Sequence, residues 1–211
     1  LPVHVKGQSL AFNGQAIGWT TLNPADPFQA KVGLRYIPEI SVSLPAGKYS
    51  IDGEFSANLW GSGDIYPGDS LVLNENLSPY RMWLRFSGDQ LEIRAGLQKI
   101  NFGSAVMFRP LMWFDRIDPR EPLQLTDGVY GLLGRYYFLN NANIWLWCLY
   151  GNDAIKGWDY LPSNWRIPEF GGRGQIPLFS GEIAISYHHR SADYTHLNSD
   201  TTLAESIYFP E

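Results

Sequence analysis

Two sets of residues in this chain have the types and spacing to do chemistry. The first comprises Lys31, Arg35, Glu39, Lys48, Asp52, Glu54, Arg81, Arg85, Glu92, Arg94 and Arg135, which fall in phase on segments that otherwise alternate with apolar side chains. Charges of both signs on neighbouring strands can pair across a sheet. In a water-filled channel the same side chains set selectivity for solutes. The plainer role is a salt-bridge network that fills an interior. The second set lies between Met107 and Glu121, where Arg109, Asp115, Arg116, Asp118 and Arg120 mix with Trp113 and Phe114. This segment can serve as a charged constriction, as a sugar platform of rings and carboxylates, or as a rim loop held by its own aromatics and ion pairs. Asp115 and Asp118 have the residue types for glycoside hydrolysis, but that chemistry is decided by carboxyl separation in space.

Other reactive constellations fail on spacing. His188 and His189 are adjacent, so on a strand they face opposite sides and do not readily share a metal. His4 and His196 are isolated. The single Cys148, inside the apolar run Ile144 to Tyr150, excludes an intrachain disulfide framework and a multi-cysteine metal site. Ser180-Gly181-Glu182 is no nucleophile elbow. Gly171-Gly172-Arg173-Gly174 lacks the Lys-Ser/Thr ending of a phosphate loop. No enzyme activity, cofactor or metal is expected. The net charge of -5, with no basic patch interleaved with aromatics, argues against a nucleic-acid partner.

The elements that must position the charged set are strands. From Gln29 to Trp60 two runs alternate in the two-residue period of a β-strand. In the first, Ala30, Val32, Leu34, Tyr36, Ile40, Val42 and Leu44 share one face, and Lys31, Arg35 and Glu39 the other. In the second, Tyr49, Ile51, Phe55, Ala57 and Leu59 oppose Lys48, Asp52, Glu54 and Asn58. A hairpin follows, with Tyr80, Met82, Leu84 and Phe86 opposing Arg81, Trp83 and Arg85, then Leu91, Ile93, Ala95 and Leu97 opposing Glu92, Arg94 and Gln98. A weaker strand precedes these at Gln8 to Thr20. Asp127 to Leu139, Asn143 to Tyr150 and Leu178 to Arg190 read as later strands, and Thr201 to Phe209 as one more. Gly61-Ser62-Gly63-Asp64 is expected to open a loop. Ser104 to Asp127, with a helical turn near Pro110 to Phe114, and Gly151 to Ile176 are expected as long structured loops. Loops of that length inside a compact domain are often functional.

Runs of ten or more residues exceed the ordinary strand of about 5–6 residues and match the roughly 9–11 needed to cross a bilayer. Aromatic content is 15%, with eight Trp and twelve Tyr. Such residues suit interfacial girdles, and Trp60, Tyr66, Trp158 and Tyr160 are placed where a girdle or a loop core would hold them. No stretch approaches the roughly 20 apolar residues of a membrane helix, which is no objection to a barrel. The fold class is therefore all-β: an antiparallel up-and-down transmembrane β-barrel with about eight to ten strands in this chain, treated as one domain over 1–211.

Leu91-Glu92-Ile93-Arg94-Ala95-Gly96-Leu97-Gln98-Lys99-Ile100-Asn101-Phe102-Gly103 resembles a strand of porin-like outer-membrane proteins, in which an Arg-x-Gly-x-Gln-x-Ile-x-aromatic-Gly pattern ends a transmembrane strand. The loop from Phe108 to Leu123, rich in Pro, Asp and aromatics, and the continuation Gly131 to Tyr137 extend the likeness to about a quarter of the chain. It is similar to porin-like barrels of Bacteroidetes-type bacteria and, more distantly, to alginate-export and related porins. Where that family often carries Arg before the Gln, this chain has Leu97.

The resemblance implies a bacterial outer-membrane location, lipid and small polar solutes as partners, contact with other outer-membrane proteins, and passive passage through a charged lumen. The ending Tyr208-Phe209-Pro210-Glu211 reads as a cut within a loop, which suggests the first part of a larger barrel. Two other readings stand beside this one: a soluble Trp-rich β-sandwich that binds carbohydrate or forms part of a glycosidase, and a plugged structural barrel.

Overall fold

A computed structural model describes residues 8–24, 29–65, 72–102, 111–117, 125–157 and 159–195. The chain is all-β. Nine strands form one antiparallel meander: β1 (Ser9–Asn23), β2 (Gln29–Ala46), β3 (Tyr49–Ile65), β4 (Val72–Ser87), β5 (Leu91–Gln98), β8 (Val129–Tyr137), β9 (Asn143–Leu149), β10 (Glu169–Leu178) and β11 (Gly181–His189). Two short strands, β6 (Arg116–Ile117) and β7 (Thr126–Asp127), pair with each other inside the long β5–β8 connection. The sheet is open. β1 pairs only with β2 and β11 only with β10 among the described residues. With nine strands alternating in direction, β1 and β11 run the same way.

The connections differ at the two ends. At one end β2–β3, β4–β5, β8–β9 and β10–β11 are joined by two, three, five and two residues. The β2–β3 turn is Gly47-Lys48, with Gly47 at φ 65°, the left-handed first position that favours glycine in a two-residue hairpin. At the other end the spacers are five, six, 30 and 19 residues. β1 to β4 are also the long strands, at 15, 18, 17 and 16 residues, against seven to ten for β5 and β8 to β11.

The phases read from the sequence in β2 and β3 hold, and they set which face is greasy. That face is bare on every long strand: Phe12 is 68% exposed, Leu34 65%, Phe55 51% and Leu84 66%. The buried core sits on the opposite, polar side. Ile100, Phe114, Val129, Leu133, Trp147 and Leu149 form it, with Phe102, Trp113 and Trp145 packed against them. Val129, Leu133, Trp147 and Leu149 alternate with exposed Tyr130, Leu132 and Leu146. The loop residues Phe102, Trp113 and Phe114 therefore lie over the polar side of β8 and β9.

Several sequence expectations are corrected. Gly61 to Asp64 opens no loop, because it continues β3 in register with Gly63 opposite Val32 and Leu73. Glu169 to Leu178 is strand β10, not loop, and the strand placed at Leu178 to Arg190 begins at Gly181 after a Phe179-Ser180 turn. Glycine hid β10 from a reading based on alternation. A Cβ on Gly171 would lie 2.3 Å from the Tyr187 carbonyl and 2.6 Å from the Trp147 ring, so the position must be bare. The segment Ser104 to Asp127 is not strand-free, given β6 and β7, and it carries a turn at Trp113-Phe114.

Tyr80 leaves the apolar phase. β3 and β4 shift register between Ser56 and Ala57, which pair with Arg81 and Pro79, so Tyr80 is the extra residue of a bulge and sides with Arg81. Leu97 is only 4% exposed, unlike its phase-mates Leu91 and Ile93, and follows Gly96 at φ 120°. The tail strand expected at Thr201 to Phe209, and Tyr66 and Trp158, lie outside the described residues.

Candidate functional site

The register assembles the predicted charged residues on one surface. Lys31, Arg35, Glu39, Asp52, Glu54, Arg81, Arg85, Glu92, Arg94 and Arg135 all occupy polar-phase positions of β2, β3, β4, β5 and β8. Lys48 does not. It lies in the β2–β3 turn, its ammonium 5.2 Å from the Tyr49 ring, because the hairpin reverses there and leaves it no place on a strand. Arg109, Asp118 and Arg120 lie outside the described residues.

Ion pairs knit this surface across strands. Asp52 accepts from Ser43 Oγ at 2.6 Å and from Arg85 Nε and Nη2 at 3.2 and 3.0 Å. Glu92 holds Arg94 at 3.0 Å and Arg135 at 3.6 Å. Lys31 lies 3.9 Å from Asp64. Trp60, expected in a girdle or a loop core, lies on this charged surface with other indoles. Trp60 is opposite Arg35, and the guanidinium of Arg35 is 5.7 Å from the Trp19 ring. Arg94 and Arg85 sit 4.7 and 5.7 Å from Trp83, and Arg135 is 3.9 Å from Trp145. Stacking a guanidinium on an indole face gives the charge a partner that a short strand neighbour cannot supply.

Aromatics on the apolar face lie at both ends of the shorter strands, with exposed Tyr130, Tyr150, Phe170 and Tyr187 at the long-connection end and two ring pairs at the short-turn end. Tyr49 stacks on Phe86 at 5.5 Å, and Tyr136 meets Phe138 edge-on at 4.9 Å. These are Tyr and Phe, while the Trp residues of β1, β3, β4 and β9 lie on the polar side.

Of the second predicted set, Trp113 and Phe114 are brought onto the same surface. Trp113 stacks on His188 at 5.2 Å, and Phe114 meets Trp147 edge-on at 5.3 Å. Asp115 is buried, while Arg116 starts the short β6. Arg81 Nη2 donates to the Thr126 carbonyl at 2.8 Å, which pins the β6–β7 hairpin to β4 of the main sheet.

Sequence reading missed a buried polar cluster beside this insert. The Lys156 ammonium donates to Glu169, whose other oxygen is 3.2 Å from His188 Nε2. Trp147 Nε1–H donates to His188 Nδ1 at 3.0 Å. An indole N–H can only donate, so Nδ1 carries the lone pair and the ring hydrogen faces Glu169. Burial pulls the Lys156 ammonium below the ordinary lysine range, against the pull of Glu169. Nearby, burial raises the Asp159 carboxyl although Arg190 pairs with it at 3.1 Å. Lys156 and Glu169 are 13 residues apart in a loop and a strand, and no local pattern announces the pair. Among the described residues no group of three or more His, Cys, Asp or Glu could hold a metal. No helix among them is long and apolar enough to cross a membrane.

The surface therefore presents fixed charged and hydrogen-bonding side chains on one face of the sheet. Comparison with protein-family models, curated proteins and solved structures finds no match for this chain.

Proposed function

We propose that this sheet is the wall of a porin-like outer-membrane barrel whose greasy face meets lipid and whose charged face borders a lumen admitting small polar solutes. The observation that carries the reading is the inverted burial: the apolar side is bare while ion pairs and a core fill the polar side. A water-soluble sheet buries its apolar face, because burial removes apolar area from water at about 25 cal/mol per Å². In lipid that face needs no cover. Short turns at one end, longer connections at the other, and a Tyr/Phe cluster at the short-turn end also suit an outer-membrane barrel. The soluble sandwich would need a second layer over the apolar face, and the described segments supply none.

Closure requires further strands. Because β1 and β11 run the same way, an all-antiparallel barrel needs an odd number of additional strands between their free edges. The plugged-barrel reading gains support from one observation: the loop insert with Trp113 and Phe114 packs on the inner side of β8 and β9. Planar-bilayer recording on the intact protein, folded in detergent, tests the proposal. Stepwise conductance is expected. A folded barrel that inserts and carries no current refutes the open pore, and a protein monodisperse in water without detergent refutes the membrane wall.

A further inference from the structure

Following the hydrogen-bonded register across the polar face aligns four arginines in two adjacent rows. One row runs Ser43, Asp52, Arg85, Arg94, Leu133, with each residue directly opposite the next. The other runs Glu92, Arg135, Trp145, Arg173, Ser186. The rows are two residues apart on β5, about 7 Å at a rise of ~3.3 Å per residue. The second row lies nearer the short turns. Asp52 and Glu92 are the carboxylates among these residues, so guanidiniums outnumber them two to one in a chain of net charge -5.

The arrangement runs against sheet stability. Arg85 and Arg94 are directly opposed, and like charges in that position destabilise a strand pair. Trp83 lies against both, and Glu92 is shared between Arg94 and Arg135, so two of the four cations divide one carboxylate. Arg173 donates to Ser186 and Gln175 and has no carboxylate within ion-pair distance among the described residues. The Nε groups of Arg94 and Arg135 are buried without a hydrogen-bond partner. The indole of Trp145 and the ring of Phe102 lie against Arg135 and Arg173, so these rings are not free as sugar platforms.

We infer that this double row is an oxyanion-binding belt, the element by which the lumen favours small carboxylate- or phosphate-bearing solutes over cations. The inference rests on the pore reading for its place in a lumen, but binding itself does not need conduction. Guanidiniums present paired donors that match an oxyanion in two-pronged geometry. An anion between the rows relieves the Arg85–Arg94 repulsion and gives Arg173 a negative partner that no described residue supplies.

The test uses the intact protein in detergent micelles, with inorganic phosphate titrated at constant ionic strength and tryptophan emission as readout, since Trp83 and Trp145 touch the belt. A saturable change is expected, with its midpoint raised at least tenfold in Arg94→Gln and in Arg173→Gln and raised less in Arg94→Lys. Arg173→Gln leaves no carboxylate bare, so it carries the test if Arg94→Gln fails to fold. In bilayers under a potassium chloride gradient, chloride should be the more permeant ion, with the preference reduced at least threefold in either variant. Saturable phosphate binding without conductance supports the belt and overturns the open pore. Conductance with neither phosphate binding nor a change of ion preference in the variants overturns the belt and leaves the pore. Failure of both removes both readings.

Discussion

Replacing Phe55 by Arg puts the membrane reading at risk. Phe55 is half exposed on the apolar face of β3 and six residues beyond Tyr49, where the Tyr/Phe cluster marks the short-turn end. Six residues at ~3.3 Å each give about 20 Å along the strand, and a tilt of roughly 40° reduces this to about 15 Å of depth. In an apolar band about 25 Å tall that is close to the midplane, where a lipid-facing Arg costs about 2–4 kcal/mol. The cost corresponds to a roughly thirty- to thousandfold loss in the folded-to-unfolded ratio. At Tyr49 the same change should cost about 0–1 kcal/mol. Denaturant titration of the intact protein in lipid vesicles measures both. If the face met water instead, each exposed substitution would stay within about 0.5 kcal/mol. Equal, negligible costs for Phe55→Arg and Tyr49→Arg would refute the reasoning.

Three further outcomes follow from local geometry. Lys156→Met leaves Glu169 buried beside His188 without its ammonium and should cost about 3–5 kcal/mol, with most of it restored in the double variant Lys156→Met/Glu169→Gln; thermal unfolding compares them. Gly171→Ala drives a Cβ into the Tyr187 carbonyl and the Trp147 ring and should cost about 1–3 kcal/mol, read by loss of the native tryptophan spectrum at lower denaturant. The Asp159 carboxyl is raised above its ordinary 3.8, so between 3.8 and its folded value the native state holds the extra proton. Stability contributed by this group therefore falls as pH rises through that window, and Asp159→Asn should remove that fall from the pH–stability curve.

The wall was legible because a sheet repeats every two residues, and a bare apolar face leaves that repeat undisturbed. Ile51, Phe55 and Leu59 against Asp52, Glu54 and Asn58 could be phased from spacing alone. The pattern failed where backbone geometry, not side-chain alternation, set the structure. Gly171, Gly172 and Gly174 carry no side chain to register a phase, yet β10 pairs along its length with β11. The Tyr80 bulge adds one residue to β4 and breaks parity beside Pro79, whose type favours bulges but which alternation alone does not register. The inner core was illegible for a different reason. Phe102, Trp113 and Phe114 come from a connection, and their partners Trp147 and His188 lie on strands tens of residues away. Arg173 was dismissed with its glycines as a failed phosphate loop, and only the register places it beside the other arginines.

The inequality of strand lengths has a consequence for the rim. Sixteen to eighteen residues in β2, β3 and β4 span about 50–60 Å along the chain, or roughly 40 Å of height when tilted. In the proposed barrel, a hydrocarbon layer about 25 Å tall would leave this side some 15 Å above the lipid as a parapet. The side built from β8 and β9 would be too short to rise with it, and carries Phe102, Trp113 and Phe114 over its polar face instead. The mouth of such a barrel would be slanted: a molecule arriving along the membrane plane would meet a low sill on one flank and a tall screen on the other.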